Sequence, residues 1–199
     1  MTDVMLPPDR LVIDHIVIRS YDVGDGAAHA EAVTASYDHL REYMEWAKPR
    51  HSIMESELLC RRFRAQYLLR QDFVLGVFDR RSASLVGGTG FHLRGRPLAT
   101  QYAEIGMWIH ALHAGRGLGT RVLVALLQWG FRDWAWERIE WRCDEANAAS
   151  IRVAEKAGME LEARLRNDAT PTGHRRNTLI YTAQRSEWNA GTGVAGPLP

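Results

Sequence analysis

The sequence predicts a mixed α/β fold, on two observations. Short β-rich runs separated by polar breaks occupy residues 73–110, the pattern of antiparallel strands, and strand and helix patterns then alternate to residue 184, which requires a helical crossover. At 199 residues with 46% hydrophobic side chains, the chain can bury a substantial core and suits one domain better than two. That domain is expected over 1–184, followed by a flexible tail over 185–199 that ends in the Gly- and Pro-rich run "NAGTGVAGPLP".

The elements follow in order. "LVIDHIVIRSY" is β-branched and apolar and predicts one strand with a bulge near Asp14 and His15. In "GAAHAEAVTASYDHLREYMEWA", Val33, Tyr37, Leu40, Met44 and Ala47 recur every three or four residues, as on one face of a helix or of two joined helices, with Pro49 as terminator. Ser52 and Glu55 stand in capping-box spacing ahead of a second helical block that reaches Leu69. "DFVLGVFDRRSASLVGGTGFHL" predicts a hairpin and "YAEIGMWIH" a further strand. Leu118, Val122, Leu126 and Trp129 define one face of a helix, "RIEWRCD" is a strand, and "ANAASIRVAEKAG" is a helix ended by Gly158 in a left-handed conformation. "MELEARLRN" and "HRRNTLIYTA" complete the strands.

Composition narrows the function classes. Lys and Arg number 25 against 24 Asp and Glu, so there is no electrostatic case for a nucleic-acid partner or an anionic membrane. Cys60 and Cys143 are too few for a disulfide framework, no thiol cluster suggests zinc, and no run of about 18 apolar residues occurs. A cytoplasmic, soluble protein is expected. His110 and His113 lack a third ligand in sequence and are read as structural, with no metal expected. Trp129, Trp134, Trp136 and Trp141 are read as core aromatics rather than a base-stacking platform.

The stretch "HAGRGLGTRVL" places Gly115, Gly117 and Gly119 ahead of a helix. Unpaired amides at a helix start lie at the positive end of its dipole and can bind a phosphate, with Arg116 and Arg121 adding charge nearby. A lysine-dependent phosphate loop is excluded because Thr120 and Arg121 follow Gly119, and a dinucleotide fingerprint is excluded by Val122. A plain turn remains the other reading of the glycines.

"GRGLGT" after "EIGMWI", with "ANAASIRVAEKAGM" some thirty residues on, resembles the acetyl-CoA-binding core of the GNAT superfamily of acyl-CoA N-acyltransferases. "ASYDHLREYMEWA" and "GHRRNTLIYT" resemble its RimJ/RimL-like branch, which acetylates N-terminal amines of ribosomal proteins. The likeness spans about residues 10–184 and implies a GNAT-like mixed sheet with a splayed strand that binds acetyl-CoA. It also implies that the loop amides of Gly115, Arg116, Gly117, Leu118, Gly119 and Thr120 hold the coenzyme A pyrophosphate. The family's first loop position, Gln or Arg, is Ala114 here, which weakens side-chain support for the loop more than it removes the site.

The resemblance gives the main chain of Met107, Trp108 and Ile109 to the pantetheine arm, and assigns Asn147 to the cofactor. It implies that Glu104 accepts the amine proton, directly or through water, and that Ser150 assists the departing thiolate. Each has a plain alternative: Met107 and Ile109 as inward strand residues, Asn147 as helix N-cap, Ser150 as a first-turn residue, Glu104 as a salt-bridged strand residue. Tyr37, Arg41, Tyr43 and Trp46 are the residues the family layout would place around the acceptor. The expected function is transfer of acetyl from acetyl-CoA to a primary amine, a protein or peptide N-terminus, by direct transfer in a ternary complex. The alternatives are a small-molecule amine acceptor and a non-catalytic acyl-CoA sensor. A homodimer is compatible with the sequence.

Overall fold

The computed structural model describes residues 6–170 and 172–189. Eight strands are ordered β1-β2-β3-β4-β5-β6-β8-β7 in one mixed sheet. The chain divides into two compact units, one running through Leu93 with Gly106–Leu118, the other taking Arg94–Ile105 and the chain from Gly119 onward. The strand β5 (Tyr102–Ile109) begins in the second and ends in the first.

In the first unit, β1 (Arg10–Ile13) and β2 (Ile16–Ser20) pair antiparallel with Ile13 opposite Ile16. This corrects the single bulged strand expected there. Asp14 sits at φ 52, and an aspartate tolerates the left-handed backbone that a two-residue hairpin loop needs. The first helical block takes its two-helix form, α1 (Gly26–Ala35) and α2 (Tyr37–Leu40), and a second correction concerns its end, since it passes into turns well before Pro49. Buried Ser36 stands at the break, its Oγ accepting from the Ala111 amide at 3.1 Å, a tertiary bond that apolar spacing does not reveal.

The helix α3 (Ile53–Leu68) starts with the expected capping box of Ser52 and Glu55. It lies so close to α1 that a Cβ at Gly26 would stand 2.5 Å from the Cα of Glu57. The Glu57 carboxylate accepts from the Gly24 and Gly26 amides, each at 3.1 Å, and so supplies the capping acceptor at the start of α1 that Asp25 does not. The hairpin forms as β3 (Phe73–Asp79) and β4 (Leu85–His92). Tyr21, Ala32, Cys60, Phe78 and Leu85 make a buried cluster, with Val17, Phe63 and Trp108 against it.

The second unit carries α4 from Gly119, since that helix spans Leu118–Asp133, with Leu118, Val122, Leu126 and Trp129 buried as the spacing requires. β6 (Arg138–Asp144) runs parallel to the first half of β5, and β8 (Arg175–Gln184) joins β6 to β7 (Glu160–Ala169) by antiparallel pairing. The early antiparallel and later crossover pattern is as expected. Between β6 and β7, α5 (Ala148–Lys156) ends at Gly158, φ 78. Trp134 and Trp136 stack with ring centres 6.0 Å apart in the core. A short helix α6 (Arg185–Asn189) occupies the first residues assigned to a flexible tail, held by the Arg185 guanidinium donating to the Trp136 carbonyl at 2.9 Å. Residues 190–199 of that expected tail lie outside the described residues.

Candidate active site

The glycine loop begins where β5 ends. His110 accepts from the Leu112 amide through Nδ1 at 3.1 Å and so caps a short 3-10 turn over Ala111–His113. Burial lowers its pKa, and its ring meets His113 edge-on at 5.8 Å, a structural role as the sequence suggested. Gly115 and Gly117 have φ of 71 and 80, values that L side chains resist. Nothing lies within 4 Å of where a Cβ would stand on either. Positive φ at alternate positions can turn successive amides toward one side, an arrangement suited to an anion, and residues 115–117 are exposed. The amides of Leu118, Gly119 and Thr120 open α4, where first-turn donors have no partner within the helix. Gly119 is helical, so its part differs from that of the two left-handed glycines.

The register of β5 with β6 runs from Tyr102↔Arg138 to Ile105↔Trp141, and β5 continues past it through Met107, Trp108 and Ile109. On its other side the Thr89 hydroxyl donates to the Gly106 carbonyl at 2.9 Å, and the His110 amide to the Val86 carbonyl at 2.9 Å. Gly88 makes room for Trp108, since a Cβ there would lie 2.3 Å from its Nε1. Trp108 in turn meets Trp46 edge-on at 6.2 Å, which brings one expected acceptor residue to the strand expected to hold the arm. Arg41 lies over the Tyr37 ring at 5.7 Å and near Asp38 at 3.4 Å; Tyr43 is half-buried in the turns after α2.

Glu104 occurs as the salt-bridged residue foreseen as its alternative. Its Oε1 accepts from Arg94 Nη2 at 2.7 Å and Nε at 3.1 Å. Across the strand pair, its register partner Glu140 is buried, and the Glu140 carboxylate lies 3.4 Å from Arg138 and 3.9 Å from Arg96. Arg96 stacks on Tyr102 at 3.9 Å. Neither Arg94 nor Glu140 is marked in the sequence, since the nine residues between Arg94 and Glu104 leave no periodic signal that pairs them.

Asn147 is the N-cap of α5, its Oδ1 accepting from the Ser150 amide at 2.9 Å, so the capping alternative is realised. Capping engages the amide oxygen and leaves the Asn147 NH₂ group as a separate donor. The Ser150 hydroxyl accepts from Trp141 Nε1 at 3.0 Å, and its presence beside the Cys143 thiol offsets part of the rise that burial gives that thiol's pKa. Trp141 and Cys143 were not singled out as site residues, although their i, i+2 spacing on β6 marks a shared face. Among the described residues, no group of three or more His, Cys, Asp or Glu is placed to hold a metal, and no helix is long and apolar enough to cross a membrane.

Residues 17–160 match the model of the acetyltransferase (GNAT) domain. The chain belongs to the GNAT acetyltransferase family. As a GNAT member it is an acetyl-CoA-dependent acetyltransferase, and the open left-handed glycines fit a loop that must admit a phosphate to its amides. This GNAT chain is 24% identical over 178 residues to a putative ribosomal N-acetyltransferase, YdaF of Bacillus subtilis, covering 89% of this chain and 95% of that one. Its fold is similar to that of the microcin C7 self-immunity acetyltransferase MccE in complex with acetyl-CoA and AMP, at a TM-score of 0.79 and 20% identity over 92% of this chain and 99% of that one. It is also similar to RimL, the ribosomal L7/L12 α-N-protein acetyltransferase in complex with coenzyme A, at a TM-score of 0.77 and 19% identity, covering 87% and 96% of the two chains.

Proposed function

We propose that this acetyltransferase moves acetyl to the N-terminal amine of a protein or peptide by direct transfer in a ternary complex. The observation that carries the acceptor class is the likeness to YdaF, which spans nearly the whole of both chains. Acetyl-CoA supplies the thioester. The loop amides from Gly115 to Thr120 bind its pyrophosphate, the Asn147 NH₂ adds a donor, and the main chain of Met107, Trp108 and Ile109 orients the arm and polarises the thioester.

An amine attacks only when neutral, so Glu104, directly or through a water it orders, takes the proton as the N–C bond forms and the C–S bond breaks. The Ser150 hydroxyl, already accepting from Trp141, donates to the departing sulfur. Tyr37, Arg41, Tyr43 and Trp46 contact the acceptor.

Glu104→Gln tests the base. Turnover in the acetyl-CoA thiol-release assay should fall about 100-fold or more, with coenzyme A affinity retained. Undiminished turnover in that variant would remove Glu104 from the reaction.

A further inference from the structure

Arg94 and Arg96 flank Gly95 in the turn after β4, and the two guanidinium groups are held very differently. Arg96 lies on the Tyr102 ring at 3.9 Å with its Nη1 buried, whereas the Arg94 side chain is 52% exposed. Arg94 nevertheless sits at φ 52, followed by Gly95 at φ 78. A left-handed arginine is uncommon, and here the turn aims both Nε and Nη2 at a single oxygen of Glu104. The Glu104 side chain is only 12% exposed, and its partner is a half-exposed, water-accessible cation. With both Arg94 donors on Oε1, an ammonium that reaches Oε2 stands beside a cation competing for the same carboxylate charge.

We propose that Arg94 is a specificity-determining residue that selects acceptors carrying an anionic group close to the amine, exchanging Glu104 for that anion. The inference rests on Glu104 being the proton acceptor. An acceptor with an ammonium and a nearby carboxylate replaces the Arg94–Glu104 pair by two pairs: its ammonium meets Glu104 and its carboxylate meets the Arg94 fork, which suits a planar carboxylate. No charge is left without a partner. An acceptor lacking the anion must compete with Arg94 for Glu104 and gives Arg94 only water in return. Because Arg94 is half-exposed, water compensates much of that loss, and the preference is about two- to fivefold.

The test uses two peptide amides, Ser-Asp-Ala-Ala and Ser-Asn-Ala-Ala, that differ in one carboxylate. Wild type should acetylate the Asp peptide with about two- to fivefold higher kcat/KM. In Arg94→Gln the Asp peptide should slow and the Asn peptide should quicken, since Glu104 has lost its competitor, and Arg94→Lys should restore part of the preference. A general structural defect would slow both together. Equal use by wild type, or a preference that survives Arg94→Gln, would overturn the proposal. Calorimetry of the same peptides in the presence of coenzyme A reads the anion preference without chemistry. A binding preference lost in Arg94→Gln, with neither peptide acetylated, would uphold Arg94 and overturn the peptide-acetylating reading instead.

Discussion

Replacing Gly117 by alanine tests the anion loop at one atom. At φ 80 a Cβ meets no neighbour, so the change adds no clash and isolates the backbone cost, about 1–2 kcal/mol for an L residue in the left-handed region. A loop that keeps its conformation loses that amount of stability and binds coenzyme A as before. A loop that relaxes must be returned to the left-handed geometry on binding, which weakens coenzyme A about 5- to 30-fold. An exposed loop of few internal bonds should take the second course. Calorimetric titration of coenzyme A, with thermal melts of the free protein, separates the two. Gly119→Ala is the control, because Gly119 is helical, with a backbone that an L residue adopts; it should bind coenzyme A within about twofold of wild type. Unchanged coenzyme A affinity together with unchanged stability in Gly117→Ala would refute the reasoning.

Three further outcomes follow from the structure. Ser150→Ala should lower turnover while leaving acetyl-CoA affinity nearly intact, and should cost about 1–3 kcal/mol in urea unfolding because buried Trp141 loses its acceptor; unchanged turnover would leave Ser150 a structural residue. His29 lies buried beside Ser56, and burial, followed by the nearby His51, pushes its pKa down to about 4. The unfolded chain takes up that proton more readily, so stability is complete above about pH 6.5 and falls by about 3 kcal/mol as the pH drops through 4, a slope that His29→Gln should reduce in urea melts between pH 4 and 7. Gly26→Ala should lower stability by about 1–3 kcal/mol, since its Cβ would press on the backbone of Glu57 in α3; an unaltered melting temperature would contradict that packing.

Features governed by local chemistry were legible in the sequence. The Ser52 and Glu55 capping box, the buried face of α4 and the left-handed Gly158 each depend on residues within one or two turns, and each occurs as read. Features governed by tertiary bonds were not. The apolar spacing from Val33 to Ala47 allowed one helix or two, and the place of the break, Ser36, is set by a hydroxyl that bonds to Ala111. The hairpin at Asp14 was read as a bulge because a two-residue loop and a bulge interrupt a strand alike in sequence. At the site, residue types and backbone positions could be named, but not the Arg94 partner of Glu104 or the Trp141 partner of Ser150, since side-chain pairing across strands and helices leaves no periodic trace.

The acceptor is the central claim, and one measurement addresses it most directly. The protein is incubated with acetyl-CoA and a panel of short peptides differing in their first residue, alongside small-molecule amines, thiol release is followed, and mass spectrometry locates the acetyl group. The account predicts thiol release with peptides and acetyl on the terminal α-nitrogen. Release with small amines alone, or acetyl confined to lysine side chains, would contradict it.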